Sequence, residues 1–323
     1  MRFNPRARLD TSRVRQGGGS GGGLGGGLGG MLGGGGGGGR GGRLGLGTVV
    51  VVAVVLLLGM CTGVVDLGSV LSGSTGGSAG GLSTSRVSDA HQGSDRYASC
   101  QTGEDANESA DCARVAVENS LNEYWERELG ADFQPISAMV TFTGSVQTDG
   151  CGAADSGVGP FYCPADSTIY LDTSFFDQVL QGQLGGPAGA FVEPYVLAHE
   201  YGHHIQNLTG FMGQVRTQRG RNNDGIKLEL QADCFAGLWT QHATSTPADG
   251  GEALLVELTD QDIAQAIAAA KTVGDDYIQE RAGGRSDPES WTHGSSEQRI
   301  RWFRVGYEGG TFDDCNTFAA SRL

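Results

Sequence analysis

Positive charge is scarce in this chain. Lys and Arg number 22 against 37 Asp and Glu in 323 residues, a formal net charge of −15. The shortage is uneven. Seven Arg against one Asp give residues 1–43 a net +6, which leaves −21 on residues 44–323. An acidic body is poorly suited to a phosphate backbone, so no nucleic-acid partner is expected. Two further absences narrow the field. None of the seven cysteines is spaced C-x₂-C, which excludes a Cys-rich zinc cluster. Charge is missing altogether from Leu44 to Val65, a run of Val, Leu and small residues.

That uncharged run orders the first third of the chain. Residues 1–16 are Arg-rich without apolar periodicity, and Gly dominates residues 17–47. Such composition buries too little apolar area to offset chain entropy. Residues 1–43 therefore read as a disordered Arg/Gly-rich cytoplasmic tail. At about 1.5 Å per residue, residues 44–65 reach across the roughly 30 Å of a bilayer's hydrocarbon core and read as one transmembrane helix. Arg40 and Arg43 precede it and Asp66 follows, an asymmetry that puts the amino terminus in the cytoplasm and the bulk outside. The long preceding tail and the lack of a small-x-small site argue against a cleaved leader. Met60 before Cys61 argues against a lipoprotein signal. Residues 66–95, rich in Gly and Ser, read as a linker.

Residues 96–323 read as one α+β domain with a small sheet. Ala110 to Leu129 carries helical apolar spacing. Met139–Thr143, Phe161–Pro164 and Thr168–Asp172 read as short strands. We expect 168–172 to be the edge strand on which an extended peptide pairs. Thr259 reads as the N-cap of a later helix. The six cysteines beyond Cys61 all fall here. Closeness in sequence pairs Cys100 with Cys112 and Cys151 with Cys163, leaving Cys234 with Cys315. Three disulfides imply an oxidising compartment.

The chemistry is concentrated in Leu197-Ala198-His199-Glu200-Tyr201-Gly202-His203-His204-Ile205. A helix advances about 100° per residue, so His199 and His203 share a face and offer two imidazoles to one Zn²⁺. Glu200, beside the first ligand, reaches a water at the metal as general base. Gln206 and Thr209 stand where a longer His motif would need Gly and His, so the third ligand lies elsewhere. A second helix, Lys227–Trp239, carries Glu229 and Asp233 four apart. Either carboxylate suits a His₂-carboxylate site with an open fourth position. The other then accepts the free ring N–H of His199. His204 points about 100° from His203 and should miss the metal. His293 precedes Gly294 and a helix starting after Ser295 or Ser296; it, or a tyrosine, is a candidate donor to the oxyanion of a tetrahedral intermediate.

Gly159-Pro160-Phe161-Tyr162-Cys163-Pro164, Ile169-Tyr170-Leu171-Asp172, His199 to Gln206, Glu229-Leu230-Gln231-Ala232-Asp233-Cys234 and Thr292 to Arg299 together resemble the neutral zinc metallopeptidase family of bacterial membrane-anchored proteins. The resemblance covers about residue 96 to the end, and the basic, Gly-rich start with one apolar span also fits. It implies a zincin-like fold of gluzincin type, Zn²⁺ held by His199, His203 and Glu229, and Asp233 orienting His199. Glu200 and His293 are then the catalytic candidates. The expected protein is a membrane-anchored, zinc-dependent peptidase acting on peptides or proteins outside the cytoplasm. A non-catalytic, zinc-stabilised binding or scaffold module of the envelope is the alternative. Hydrolysis of a non-peptide amide is a third reading that the same chemistry permits.

Overall fold

The computed structural model describes residues 1–17, 96–248 and 251–323. The expected transmembrane helix at 44–65, the linker at 66–95, Cys61 and His91 lie outside the described residues. Among the described residues no helix is long and apolar enough to cross a membrane.

A mixed sheet lies against a layer of helices. Strands β1 (Arg2–Phe3) and β2 (Val14–Gln16) come from the amino-terminal segment. Helices α1 (Gly103–Glu108) and α2 (Ala110–Leu129) follow, then β3 (Ala138–Phe142), the hairpin β4 (Ser145–Gln147) and β5 (Ala153–Asp155), β6 (Phe161–Cys163) and β7 (Thr168–Asp172). The four-stranded sheet runs β2-β3-β7-β6. β2, β3 and β7 are parallel and β6 is antiparallel to β7. Side chains alternate across a strand. Met139, Ile169 and Leu171 face the main helical core, while Ala138, Val140 and Tyr170 face a smaller core closed by the β4–β5 hairpin and the Cys151–Cys163 disulfide. Both faces are covered, so β3 and β7 read as unbroken buried runs.

Helices α3 (Val192–Leu208) and α4 (Asp224–His242) carry the HExxH motif and the acidic pair. Then come β8 (Leu255–Glu257), which pairs with β1, and helices α5 (Asp260–Thr272), α6 (Asp275–Arg281) and α7 (Ser296–Tyr307). Thr259 caps α5 and Ser295 caps α7, each through a reciprocal capping box. The disulfides are Cys100–Cys112, Cys151–Cys163 and Cys234–Cys315, the pairs expected.

Two expectations need correction. Residues 1–17, read as part of a disordered tail, are built into the domain: Phe3 and Val14 are buried, and β1 and β2 each add to a sheet. A segment too polar to make a core of its own gains order by lending strands to one already made. The second concerns β7. It is flanked by β3 and β6, so its backbone is already paired on both sides. The strand at the end of the sheet beside the motif helix is β6.

Candidate metal centre

Helix α3 is buried almost all round: every residue from Pro194 to Gln206 is inside. It lies across α4 with Gly202 against Ala232. A Cβ at Gly202 would stand 3.1 Å from the Ala232 Cα, a tight contact, so glycine lets the two helices come this close without displacing either. That approach sets Glu229 against the two imidazoles. Glu229 Oε2 lies 3.2 Å from His199 Nε2, and Oε1 lies 3.6 Å from His203 Nε2. One ligand atom from each of the three residues lies within 4.8 Å of the others, and all three side chains are buried.

The remaining ring nitrogens are held from behind. His199 Nδ1–H donates to Asp233 Oδ1 at 2.9 Å. Asp233 also accepts from Tyr195 Oη at 2.6 Å and from Arg299 through Nε at 2.7 Å and Nη2 at 2.9 Å. His203 Nδ1–H donates to Gln206 Oε1 at 2.8 Å. Gln206 in turn donates to the Leu228 carbonyl at 2.7 Å and to Gln231 Oε1 at 3.1 Å. With both Nδ1 atoms occupied, both Nε2 atoms are left to converge. His204 turns away, as expected: its Nε2 donates to the Gln134 carbonyl and its Nδ1 accepts from Tyr162 Oη.

Burial and neighbouring charges pull these three groups in different directions. Burial opposes charge on His199, yet the Asp233 carboxylate and the hydrogen bond to Glu229 raise it to about 9. Burial pushes His203 down to about 4. Glu229 is held well below the usual carboxylate range against the opposing effect of burial, chiefly by the charge of His203 and the hydrogen bond from His199. Two imidazole nitrogens and one ionised carboxylate, buried and convergent, fit zinc, and they leave a position for a fourth ligand.

Two further groups face this point. Burial raises Glu200 to about 7, and the Tyr162 backbone N–H binds its carboxylate. This sets the β6 edge beside the base. His293 is partly buried. Burial lowers its pKa, but the hydrogen bond to Asp275 and the charges of Glu229 and Asp275 outweigh it, and the net shift is upward. Asp275 is fully buried. Its Oδ2 accepts from the backbone N–H groups of Thr292 (2.7 Å), His293 (2.6 Å) and Gly294 (3.0 Å), and its Oδ1 lies 3.4 Å from His293 Nδ1.

His199, Glu200, His203, Glu229, Asp233 and His293 thus come together from α3, α4 and the turn before α7. Sequence reasoning missed Tyr195, Gln206, Asp275 and Arg299. Gln206 and Tyr195 were within reach, since positions three or four from a ligand histidine lie on its face of the helix. Asp275 and Arg299 had no local signal.

A family model described as "Putative neutral zinc metallopeptidase" matches residues 6–318. The chain is 49% identical over 226 residues to "Uncharacterized protein Rv2575" of Mycobacterium tuberculosis (strain ATCC 25618 / H37Rv), spanning 69% of this chain and 76% of that protein. It is equally similar to "Uncharacterized protein Mb2605" of Mycobacterium bovis. It is 39% identical over 213 residues to "Uncharacterized protein YpfJ" of Escherichia coli (strain K12), spanning 64% of this chain and 69% of that protein. No solved structure matches. Zinc is the cofactor that the family implies.

Proposed function

Because the chain belongs to the neutral zinc metallopeptidase family, we propose that it hydrolyses peptide bonds in peptides or proteins, and does so outside the cytoplasm. The observation that carries this reading is Glu200: a buried, proton-accepting carboxylate beside three convergent donors. A purely structural metal site has no use for it. His199, His203 and Glu229 would hold the zinc. Bound there, zinc supplies Lewis acidity, which lowers the pKa of a water toward about 7 and polarises a carbonyl.

The chain's own groups do the rest. The β6 edge pairs with an extended substrate, so affinity comes from main-chain bonds with little demand on side chains. Glu200 takes a proton from the attacking water and passes it to the leaving amine. His293, whose protonated form Asp275 favours, donates to the developing oxyanion. Asp233 holds His199 in the tautomer that presents Nε2. The exterior location is supported by the three disulfides, which persist in oxidising compartments. Attachment to a membrane is supported by the apolar run at 44–65.

The test is Glu200→Gln, which keeps the shape of the side chain and removes the base. Zinc content should match the parent while peptide turnover falls about 10²–10⁴-fold. A variant that binds zinc and cleaves at the parent rate would refute the mechanism.

A further inference from the structure

Residues 1–17 are seated in a groove of the domain much as a bound peptide would be. Two asparagines read the segment's backbone. Asn107 on α1 accepts from the Phe3 N–H at 2.9 Å and donates to the Phe3 carbonyl at 3.0 Å. Asn119 on α2 does the same for Asp10, at 2.7 and 2.8 Å. Gly103 supplies the close approach: a Cβ there would lie 2.0 Å from the Asn4 carbonyl oxygen. β2 adds in parallel to β3, with Val14 opposite Met139 and Gln16 opposite Thr141. Arg13 reaches inward to Glu118, a carboxylate with 0% exposure, through Nε–Oε1 at 2.7 Å. Leaving Glu118 without that partner would strand a charge in the core behind the motif helix.

The two ends that flank residues 18–95 meet at one residue. The Gly17 N–H donates to the Thr141 carbonyl at 2.8 Å, and Tyr97 Oη lies 2.5 Å from Thr141 Oγ1. Gly17 and Tyr97 thus meet β3 at the same place. The apolar run 44–65 lies between these two residues in sequence. A single crossing would put residues 1–17 and 96–323 on opposite faces of the bilayer, and strands on opposite faces cannot pair. The family match also begins at residue 6, inside the docked segment.

We infer that the groove formed by α1, α2 and the β3 edge is the docking site of the chain's own residues 1–17. Those residues therefore lie on the same side of a membrane as the catalytic domain. This replaces the expected cytoplasmic amino terminus. It does not depend on the peptidase reading, since it rests on packing alone.

The full-length chain tests it in a bacterial host. In a Cys61→Ser background, Arg15→Cys and Ser245→Cys each place one exposed thiol, on β2 and after α4 respectively. A membrane-impermeant maleimide should label both in intact cells. Labelling of both only after lysis still supports a shared side while removing the exterior location proposed above. Labelling of one in intact cells and the other only after lysis overturns the inference. Arg13→Glu should lower the melting temperature by roughly 10 °C, and Arg13→Glu with Glu118→Arg should recover most of it. A single variant that melts with the parent overturns the docking. So does recovery of folding when the two single variants are co-expressed as separate chains, because that would show docking between copies.

Discussion

Asp233 receives four hydrogen bonds: one from Tyr195, one from His199 and two from Arg299. The charge of Arg299 is what allows a carboxylate to be buried beside a metal-site imidazole, so these residues act as a unit. Replacing Arg299 with Met should weaken zinc binding about 10–100-fold in a chelator competition. Lys should not restore it, because a single ammonium cannot make the paired contact. The other residue-scale prediction concerns pH. The cationic form of His293 is populated below its raised pKa and disappears as pH climbs through it. Turnover should therefore fall on the alkaline side, at a pH above the ordinary imidazole value of 6.5. Asp275→Asn removes the charge that holds the proton, so the alkaline limb of the kcat profile should move to lower pH. A limb that stays in place would remove His293 from the reaction. These behind-the-ligand groups were hard to read in the sequence because their partners are far away along the chain: Arg299 is 66 residues from Asp233.

The site depends on how closely helices meet. α4 and α7 touch backbone to backbone at two glycines. A Cβ at Gly237 would lie 2.1 Å from the Phe303 carbonyl oxygen, and one at Gly306 would lie 2.0 Å from the Cys234 carbonyl oxygen. That approach carries Arg299 to Asp233. Gly237→Ala should cost about 3 kcal/mol in denaturant unfolding and lower zinc affinity as well, since it separates the helices that hold the two residues. The helix Ala110–Leu129, the strand Thr168–Asp172 and the cap Thr259 were all legible in the sequence, because periodicity and capping are local. Strand order was not. β7 has the look of any short strand, and only pairing with β3 and β6 shows that it is central and that β6 ends the sheet.

Across the whole molecule, the candidate metal site draws its donors from helices that close packing already brings together. The buried carboxylates of Glu229 and Asp233 and the rings of His199 and His203 sit at the crossing of α3, α4 and α7. Removing zinc with a chelator should lower the melting temperature, and added zinc should restore it, in proportion to the logarithm of free metal over its Kd. A melting temperature indifferent to zinc would argue against a buried three-residue site. The disulfide Cys234–Cys315 closes a loop with a sequence separation of 81 and pins α4 to the carboxyl-terminal tail. Its loss should cost about 4 kcal/mol.

What could be read along the chain was whatever depends on neighbours a few residues apart: the HExxH face, the Glu229–Asp233 pair, the Thr259 cap and the pairing of cysteines by closeness. Folding in three dimensions settled what depends on distant partners. It showed which carboxylate meets both imidazoles, which cation balances Asp233, which strand ends the sheet, and that residues 1–17 belong to the domain. Polar composition marks a segment that cannot form a core alone. Whether another part of the chain offers such a segment a sheet edge and a buried counter-charge is a property of the folded surface, and no window of sequence contains it.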